Sequence, residues 1–535
     1  MKKSKVKLVH GHNCLLTAIG LPERCAIQKK SSGWLLKANG RRDFHFRLHP
    51  DLLYFYHDER VSTAGLPLAG ALHRDDRFEG SGRISCFDVT EGGLNHGIML
   101  DPGIDGNWVI TRAGKEITLM AQAQQLSLNL YQGNEPDWKA HSFPFRNLPA
   151  GDPRRHHAMV RGLLDFFGGT RGTLTCDNIM QKPNTNAGYG MDGIVDTYFQ
   201  FLGAYPYISN LRRSYLESQI KWLGRHIRFD GCIPWGRVAT GEPYYHLWVN
   251  PKYGLFFDGN ALWLDMVYQI WKTTGNLPDL GTILRASDFY LHYMTSDGLV
   301  AAESKMKGCE WADLLKNGWH SSLVNVLAYR GLVVTAVILR AKGEKELANR
   351  YQGHARRLRS QLNRPLSEGG LWTGNGYVDW RGPKGDVHPH YRIDTHALAL
   401  LFQVPEHNQA DAIVRTFEAH PLPRAIPPAP YLLIGNWSDP ADDMLEGCRA
   451  WDCGLATMCG RCGGTLTAAL AHYGKSGMSR ALMKRLIDMV VAEKGIPEQY
   501  HPNGKPKMEE AFSYIEHSLS VCIAWTLMSP KPSDA

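Results

Sequence analysis

The chain has 535 residues, of which 43% are hydrophobic and 21% are charged, and its formal net charge is +8. This composition excludes a disordered chain and supplies enough apolar surface for two or more domains with large cores. Lysines and arginines are scattered among acids rather than gathered in runs with aromatic residues, so we expect no nucleic-acid partner.

The N-terminal sequence MKKSKVKLVHGHNCLLTAIG is basic at first, but no apolar run of signal-peptide length follows. We therefore expect a cytoplasmic protein, and we expect no membrane span because no segment has about eighteen uninterrupted apolar residues. Most of the eleven cysteines stand alone, which favours reduced thiols. Four of them lie close together with a spacing that fits helix packing better than a zinc site: Cys448, Cys453, Cys459 and Cys462. No metal or organic cofactor is predicted.

Up to about residue 150, apolar and polar residues alternate as they do in strands. Examples are HFRLHPDLLYFYHDE and NWVITRAGKEITLMAQ, the second interrupted at Ala113-Gly114-Lys115 as a hairpin would be. This pattern predicts an antiparallel β-sandwich over residues 1–150, which ends in the proline-containing linker FPFRNLPAGDPRR.

From residue 151 to 535 the hydrophobic period becomes helical. Twelve helices are predicted, at 155–168, 191–203, 209–228, 258–274, 280–294, 320–342, 344–363, 394–403, 408–419, 450–473, 478–492 and 511–528. The sixth, SSLVNVLAYRGLVVTAVILR, is apolar nearly all round, whereas the seventh has a single apolar stripe. Alternation of fully buried and half-exposed helices predicts an (α/α)6 barrel, and hence a multidomain α+β protein. A solenoid of helix pairs is the alternative, although no repeat of fixed length supports it.

Acidic residues lie before or at the start of every even-numbered helix. They are Asp192, Asp258, Glu310 with Asp313, Asp394, Asp452 and Glu498, and Arg392 and His396 flank Asp394. In a barrel the starts of the inner helices lie at one end, so we expect these acids around one cavity. The alternative for a single residue such as Asp258 or Asp394 is an N-cap, and we expect His396 to be a core or lining residue.

Tryptophans are frequent in the predicted loops of the helical part. They are Trp235, Trp248, Trp311, Trp319, Trp372, Trp380 and Trp437. Flat indole rings stack well on sugar rings, although loop tryptophans can also simply close the end of a barrel.

Three segments carry a resemblance to a known family. IPEQYHPNGKPKMEEAFSYIEHSLSVCIAW, GCEWADLLKNGWHSSLVNVLAYRGL and GYGMDG occur before the twelfth, sixth and second predicted helices. With them, residues 155–528 resemble the six-hairpin glycosidases of the glucoamylase and glycogen-debranching type. The resemblance implies that Glu498 is the general base and that Asp313, two residues after Trp311, is the general acid, as in debranching enzymes.

Glucoamylases instead place the acid directly after the tryptophan, where this chain has Ala312, so the assignment of Asp313 rests on the debranching-like offset. Glu310 is the reserve candidate for the acid. Asp192 takes the position of the aspartate that holds the terminal sugar, with Met191 in place of the family's arginine. Residues predicted to contact the substrate are Asp192, Tyr189, Asp258, Trp311, Trp319, Trp235, Trp248, Arg392, Trp437 and Tyr514.

These assignments predict an exo-acting, inverting glycoside hydrolase that cleaves an oligosaccharide or a small glycoside. Inversion needs a protonated carboxyl and a carboxylate about 6.5–9.5 Å apart, whereas about 5–5.5 Å is typical of retaining enzymes. The alternatives are a phosphorylase, epimerase or lyase on the same barrel, or a carbohydrate-binding protein without activity. An epimerase would use histidines, for which His388, His390 and His396 are the candidates. A homo-oligomer is compatible with the sequence.

Overall fold

The computed structural model describes residues 16–30, 33–48, 53–57, 69–71, 77–90, 93–103, 106–114, 116–132, 145–168, 193–208, 210–237, 242–246, 254–302, 309–311, 315–419, 460–492 and 515–529. Seven of the predicted site residues lie outside these ranges: Tyr189, Asp192, Trp248, Asp313, Trp437, Glu498 and Tyr514. Cys448, Cys453, Cys459 and Asp452 lie outside them as well.

Ten antiparallel strands occupy the N-terminal part of the described chain. They are β1 (Leu16–Gly20), β2 (Ala26–Lys30), β3 (Gly33–Leu48), β4 (Leu53–His57), β5 (Ala69–Ala71), β6 (Arg77–Ser81), β7 (Ile84–Thr90), β8 (Gly93–Asp101), β9 (Asn107–Ala113) and β10 (Glu116–Gln132). The predicted hairpin is confirmed, because Ala113 of β9 pairs with Glu116 of β10 and Gly114 has the positive φ of 60° that a tight turn needs.

Two long strands, β3 and β10, connect all parts of this sheet. They pair with each other along most of their lengths, with a register shift between Ala123 and Gln125. On its other edge, β10 pairs first with β9 and then with β8, while β3 pairs with β2 and then with β1. The ten strands therefore form one hydrogen-bonded network. Side chains from β3, β8, β9 and β10 share a single core that includes Leu36, Phe44, Ile98, Trp108 and Leu119.

The C-terminal part of the described chain is helical. Its helices are α1 (Pro153–Gly168), α2 (Ile194–Ala204), α3 (Asn210–Arg225), α4 (Gly259–Thr274), α5 (Leu280–His292), α6 (Ser322–Ala341), α7 (Lys345–Leu362), α8 (Ile393–Leu401), α9 (His407–Ala419), α10 (Gly460–His472), α11 (Ser476–Ala492), α12 (Ile515–Ser518) and α13 (Ser520–Met528). All twelve predicted helices are confirmed within the described residues. The last one is divided into α12 and α13 at Leu519.

The predicted alternation of burial is also confirmed. Helix α6 is buried along most of its length, whereas α7 buries one stripe that includes Tyr351, Ala355 and Leu358. By length and composition alone α6 could cross a membrane, but most of it is buried among other parts of the protein, as in the core helix of a globular domain.

The buried helices pack on one another in chain order: α2 on α4, α4 on α6, α6 on α8, α8 on α10, and α10 on α13. Helix α13 also packs on α2, so this series of contacts closes on itself. The half-exposed helices pack outside it, with α5 on α4 and α6, α7 on α6, and α11 on α10. The closing contact is not expected of an open solenoid.

The predicted linker is docked against the helices. Phe145 is buried in the helical core, and the backbone amide of Arg146 donates to the carbonyl oxygen of Tyr207. Asp152 then begins α1, because its side chain accepts hydrogen bonds from the amides of Arg154 and Arg155 and Pro153 occupies the first helical position.

Two small sheets lie between helices of this part. One pairs β11 (Gly236–Arg237) with β12 (Pro243–Tyr244), and the other pairs β13 (His320–Ser321) with β14 (Trp380–Arg381) and β15 (Val387–His388). The second sheet fixes the start of α6, since the backbone amide of Ser322 donates to the carbonyl oxygen of Asp379.

Candidate active site

The starts of several buried helices are joined by charged contacts at one end of the helical part. Arg461, at the start of α10, binds Glu516 of α12 at 2.7 Å and Asp196 of α2 at 3.4 Å. Its guanidinium also lies 5.9 Å from the ring centre of Trp311, in the segment 309–311 that precedes α6. Residues more than three hundred positions apart therefore meet here, as the barrel prediction requires.

A second arginine is the centre of a buried acid cluster. Nη1 of Arg392 lies 2.5 Å from Oε1 of Glu310, and its Nη2 lies 2.5 Å from Oδ2 of Asp394. Nη1 also lies 3.5 Å from a carboxylate oxygen of Asp379. All four residues are at most 2% exposed. We define the acid cluster as Asp258, Glu310, Asp379 and Asp394 around Arg392.

The acid cluster contains Asp258 because its carboxyl lies close enough to Glu310 for the two charges to interact. Asp258 directly precedes α4, yet its side chain accepts no capping hydrogen bond, so the capping expectation is wrong for this residue. The residue is 0% exposed, and the backbone amides of Gly259 and Trp311 lie near its carboxyl and partly oppose the rise in its pKa. Burial and the adjacent Glu310 carboxylate raise the pKa of Asp258 well above its ordinary value.

Asp394 does not cap its helix either. It lies in the first turn of α8, where the N-cap position belongs to Arg392. Its Oδ1 accepts from the amide of Thr395 at 2.7 Å, and its Oδ2 accepts from the indole nitrogen of Trp311 at 2.7 Å. Asp394 thus fixes both the arginine and the tryptophan of the site.

Glu310, the reserve candidate for the acid, is fully engaged. Its Oε1 accepts hydrogen bonds from Arg392 and from the side-chain amide of Asn317, and its Oε2 lies 3.4 Å from Nη2 of Arg392. These charge-assisted hydrogen bonds fix the position of Glu310 beside Arg392. Similarly, Arg392 uses all three of its guanidinium nitrogens on acids of the acid cluster, so it positions these acids rather than reaching outward for a sugar.

Asp379 is a member of the acid cluster that the sequence interpretation did not include. Burial raises the pKa of Asp379 to about 7, although the neighbouring Arg392 and His390 oppose this effect. The residue follows a short apolar segment in YVDW, next to one of the loop tryptophans. An acid between apolar residues was the only available signal, and it is a weak one.

The histidines named for an epimerase differ in what they contact. His396 is 1% exposed and is a core residue, as predicted. Its Nε2 accepts from the amide of Tyr377, and its Nδ1 lies against the carbonyl oxygen of Arg392, so both ring nitrogens are engaged by backbone groups. Burial lowers the pKa of His396 to about 4. His388 stacks on the ring of Trp380 and pairs with Asp386, which leaves it outside the acid cluster.

The described tryptophans have unequal access to solvent. Trp372 and Trp380 are 9% and 2% exposed, so they close the end of the helical part rather than offer a ring face. Trp311 is 8% exposed, and Trp235 is partly exposed and stacks on Phe256 at 4.3 Å. Trp319 is partly exposed and has a φ of 81°, a strained value for a residue with a bulky side chain.

Among the described residues, no group of three or more histidine, cysteine, aspartate or glutamate side chains is arranged to hold a metal ion. The six cysteines within the described ranges are free thiols. Cys462 is buried on α10, where it contributes to helix packing. Sequence reasoning also missed Asp196, Arg461 and Glu516; the available signal for Glu516 was a single acid inside the otherwise apolar start of a helix.

Comparisons with known proteins bear on the fold. No protein-family model and no curated protein matches the chain. Among solved structures, the chain is similar to a GH78 family rhamnosidase of Bacillus sp. GL1, with a TM-score of 0.52, 12% identity, and coverage of 96% of this chain and 48% of that one. It is also similar to a rhamnosidase from Klebsiella oxytoca with rhamnose bound (TM-score 0.49, 15% identity, 91% and 95% coverage). A bacterial glucoamylase complexed with acarbose has a TM-score of 0.48, 11% identity, and 96% and 81% coverage.

At these identities the likeness shows the fold alone. The chain has an antiparallel sheet followed by a helical part, an α+β arrangement whose fold is similar to that of the Bacillus rhamnosidase. The chain spans about half the length of the Bacillus rhamnosidase.

Proposed function

We propose that this protein is a glycoside hydrolase whose helical part is an (α/α)6 barrel. The closed series of contacts from α2 to α13 supports the barrel, and the acid cluster at the starts of its inner helices supports the activity. The proposed domains are a β-sandwich domain over 1–150 and the barrel over 151–535, and the proposed location is the cytoplasm.

The observation that carries this proposal is the pairing of Asp258 with Glu310. The Asp258 carboxyl is buried and has a raised pKa, while the neighbouring Glu310 is bound by Arg392 and Asn317. A cluster of buried acids at the starts of inner helices marks a candidate catalytic site, at which two further carboxyls act as general acid and general base. The shared fold with a rhamnosidase is in keeping with this activity, although fold alone does not determine a reaction.

The proposed general acid is Asp313 and the proposed general base is Glu498. Asp313 follows Trp311 by two residues in the sequence. Glu498 lies on the connection that leads into α12, whose Glu516 binds Arg461. In an inverting reaction, Asp313 donates a proton to the leaving oxygen while Glu498 removes a proton from the attacking water.

The engagement of both ring nitrogens of His396 supports hydrolysis over epimerisation, because this histidine has no nitrogen left for a substrate. The proposed substrate is an oligosaccharide or small glycoside, cleaved from its nonreducing end. Asp192, Tyr189, Trp235, Trp248, Trp319, Trp437 and Tyr514 are proposed to contact it.

The decisive experiment follows sugar release from a panel of glycosides by NMR, which reports the substrate and the anomeric form of the product together. We expect Asp313→Asn and Glu498→Gln each to lower kcat by at least about a thousandfold with KM changed little. The matched controls are the exposed acids Asp411→Asn and Glu346→Gln, which should retain full activity.

Product of unchanged anomeric configuration would contradict the inverting mechanism. Activity that requires orthophosphate would favour a phosphorylase, and sugar binding without turnover on any substrate would favour a binding protein. Full activity in either site variant would remove that residue from its assigned role.

A further inference from the structure

Strand β10 is interrupted in the middle, where it passes from one set of neighbouring strands to another. On one edge, its pairing with β9 ends at Gln122 and its pairing with β8 begins at Ser127. On the opposite edge, the pairing with β3 is broken at Gln124, because β3 places residues 38–41 against this single residue. Within the described residues, Gln124 therefore has no partner strand on either edge. Backbone groups at such a position are left for water or a ligand to satisfy.

A cavity opens at this interruption. Its volume is about 390 Å³, which lies within the range of small-molecule binding sites. Strand β3 contributes Arg41 to its lining, β10 contributes Gln124, Gln125 and Ser127, and the end of β8 contributes Asp101. No aromatic ring belongs to the lining that the described residues form. A ligand here is therefore bound by hydrogen bonds and charge rather than by stacking.

The connection from β8 to β9 forms one wall of the cavity without large side chains. Gly103 has a φ of 78°, and its backbone amide donates to Oδ1 of Asp101 at 3.1 Å. Gly106 also lines the cavity, and a Cβ at this position would overlap the carbonyl oxygen of Pro102. The tight turn thus keeps the wall in place, and no side chain from either glycine fills the space.

The charges at the cavity are unequally compensated. Asp101 is paired with Arg83 at 3.2 Å, whereas Arg41 has no acidic partner among the described residues. Lys37 and Arg42 of β3 pair with β10 on either side of the interruption, and no described acid binds their side chains either. The cavity therefore carries an uncompensated positive charge. The planar guanidinium of Arg41 matches the geometry of a carboxylate.

We propose that this cavity binds a hexuronic acid, with its carboxylate on Arg41 and its hydroxyl groups on Gln124, Gln125 and Ser127. Amide and hydroxyl side chains both donate and accept hydrogen bonds, as sugar hydroxyls do, so they suit a ligand with many hydroxyl groups. The cavity lies in the sheet, whereas the acid cluster lies in the helical part, so this inference does not depend on the proposed function. A free hexuronate and a uronic acid residue of an acidic polysaccharide share this chemistry.

Isothermal titration calorimetry on the full chain tests the site. The probes are glucuronate and galacturonate, their neutral counterparts glucose and galactose, a galacturonate trimer, and inorganic phosphate. We expect one or both uronates to bind at least about tenfold more tightly than the neutral counterpart, because the neutral sugar lacks the charge-assisted contact. Added salt should weaken this binding. A trimer that binds as tightly as galacturonate identifies a polysaccharide residue as the ligand, and a trimer that does not bind identifies the free sugar.

Three variants locate the binding. Arg41→Gln should lower uronate affinity at least about tenfold and leave the affinity for neutral sugars unchanged. Arg41→Lys keeps the charge but loses the planar fork, so its affinity should lie between those of Arg41→Gln and the wild type. Lys29→Gln, at an exposed cation of β2 that does not line the cavity, is the matched control and should bind as the wild type does.

The inference would be overturned if neither uronate binds, if Arg41→Gln binds uronate as the wild type does, or if neutral sugars bind equally well. Tighter binding of phosphate would also overturn it, because sugar hydroxyls would then contribute nothing. Glycosidase activity without uronate binding would refute this site alone. Uronate binding that is lost in Arg41→Gln, in a protein that hydrolyses no glycoside, would refute the proposed function alone.

Discussion

Arg392 illustrates how far one cation can determine the state of its neighbours. It is the single guanidinium among the described residues that contacts Glu310, Asp379 and Asp394, and it is 1% exposed. One positive charge cannot compensate four buried carboxylates. Burial therefore raises the pKa values of Asp258 and Asp379 even though an arginine lies in the acid cluster.

Removing that cation should therefore be costly. We expect Arg392→Met to lower the free energy of unfolding by about 3–5 kcal/mol, because it leaves buried carboxylates without compensation. Arg47→Met is the control, since the Arg47–Glu116 pair is about half exposed on both sides, and it should cost less than about 1 kcal/mol. Urea denaturation measures both variants, and equal effects would contradict the assigned role of Arg392.

Asp379 should make stability depend on pH. Its pKa in the folded protein is about 7, above the value of about 3.9 for an unfolded chain. Between these values the unfolded chain releases a proton that the folded protein keeps, so stability falls as pH rises, by about 1.4 kcal/mol per unit for this group. The Asp379→Asn variant has no ionisable carboxyl at this position, so its stability lacks this contribution to the pH dependence.

Relative to wild type, the Asp379→Asn variant should therefore gain several kcal/mol of stability between pH 4 and pH 8. Urea denaturation at the two pH values gives the difference, and Asp411→Asn, at an exposed acid, should show little change. A wild-type-to-variant difference that is the same at both pH values would rule out a raised pKa at Asp379.

At the residue scale, the sequence predicted which acids lie close together, but it did not predict which groups each acid binds. Asp258, Glu310, Arg392 and Asp394 were expected at one end of the helical part because they begin or precede inner helices, and they are adjacent in the structure. Which side chain binds which could not be predicted. The choice between a cap and a buried acid at Asp258 depends on the segment 309–311, about fifty residues further along the chain.

At the scale of elements, the helices were predictable because their hydrophobic periods are long and regular, as in α6 and α7. The pairing of the strands in the sheet was less predictable. Its topology depends on the pairing of β3 with β10, and no local pattern specifies which of ten strands pair over that distance. The division at Leu519 was also missed, because the apolar pattern continues across it.

Glycine positions test how closely these helices pack. Gly162 of α1 faces α12, and a Cβ built there would lie 2.3 Å from the carbonyl oxygen of Ser518. Because that obstacle is backbone, Gly162→Ala should destabilise the protein by at least about 1–3 kcal/mol. Gly353 on α7 has nothing within 4 Å of such a Cβ, so Gly353→Ala should stabilise it by about 0.5–1 kcal/mol. Thermal and urea unfolding should show these opposite signs, and like signs would be inconsistent with the packing described.

At the scale of the whole molecule, the contact of α13 with α2 distinguishes a closed arrangement from an open one. A chain ending at Lys507 lacks α12 and α13, and therefore exposes buried faces of α1, α2 and α10 together. We expect this truncation to abolish cooperative unfolding of the helical part, whereas an open solenoid would lose only its terminal unit. Calorimetry measures the outcome, with a chain ending at Ser529 as the control. A single sharp transition of slightly reduced enthalpy in the shorter chain would contradict closure.

The pairing of β3 with β10 has a consequence for how the chain is made. Strand β3 is synthesised early, but its principal partner follows only after β4 to β9 have left the ribosome. Until then, the apolar side chains of β3 have no permanent cover along that edge. The helical part is delayed in the same way, because α2 can pack on α13 only after α13 has been synthesised. The sheet and the helical part therefore each complete their fold only after their C-terminal elements have been synthesised.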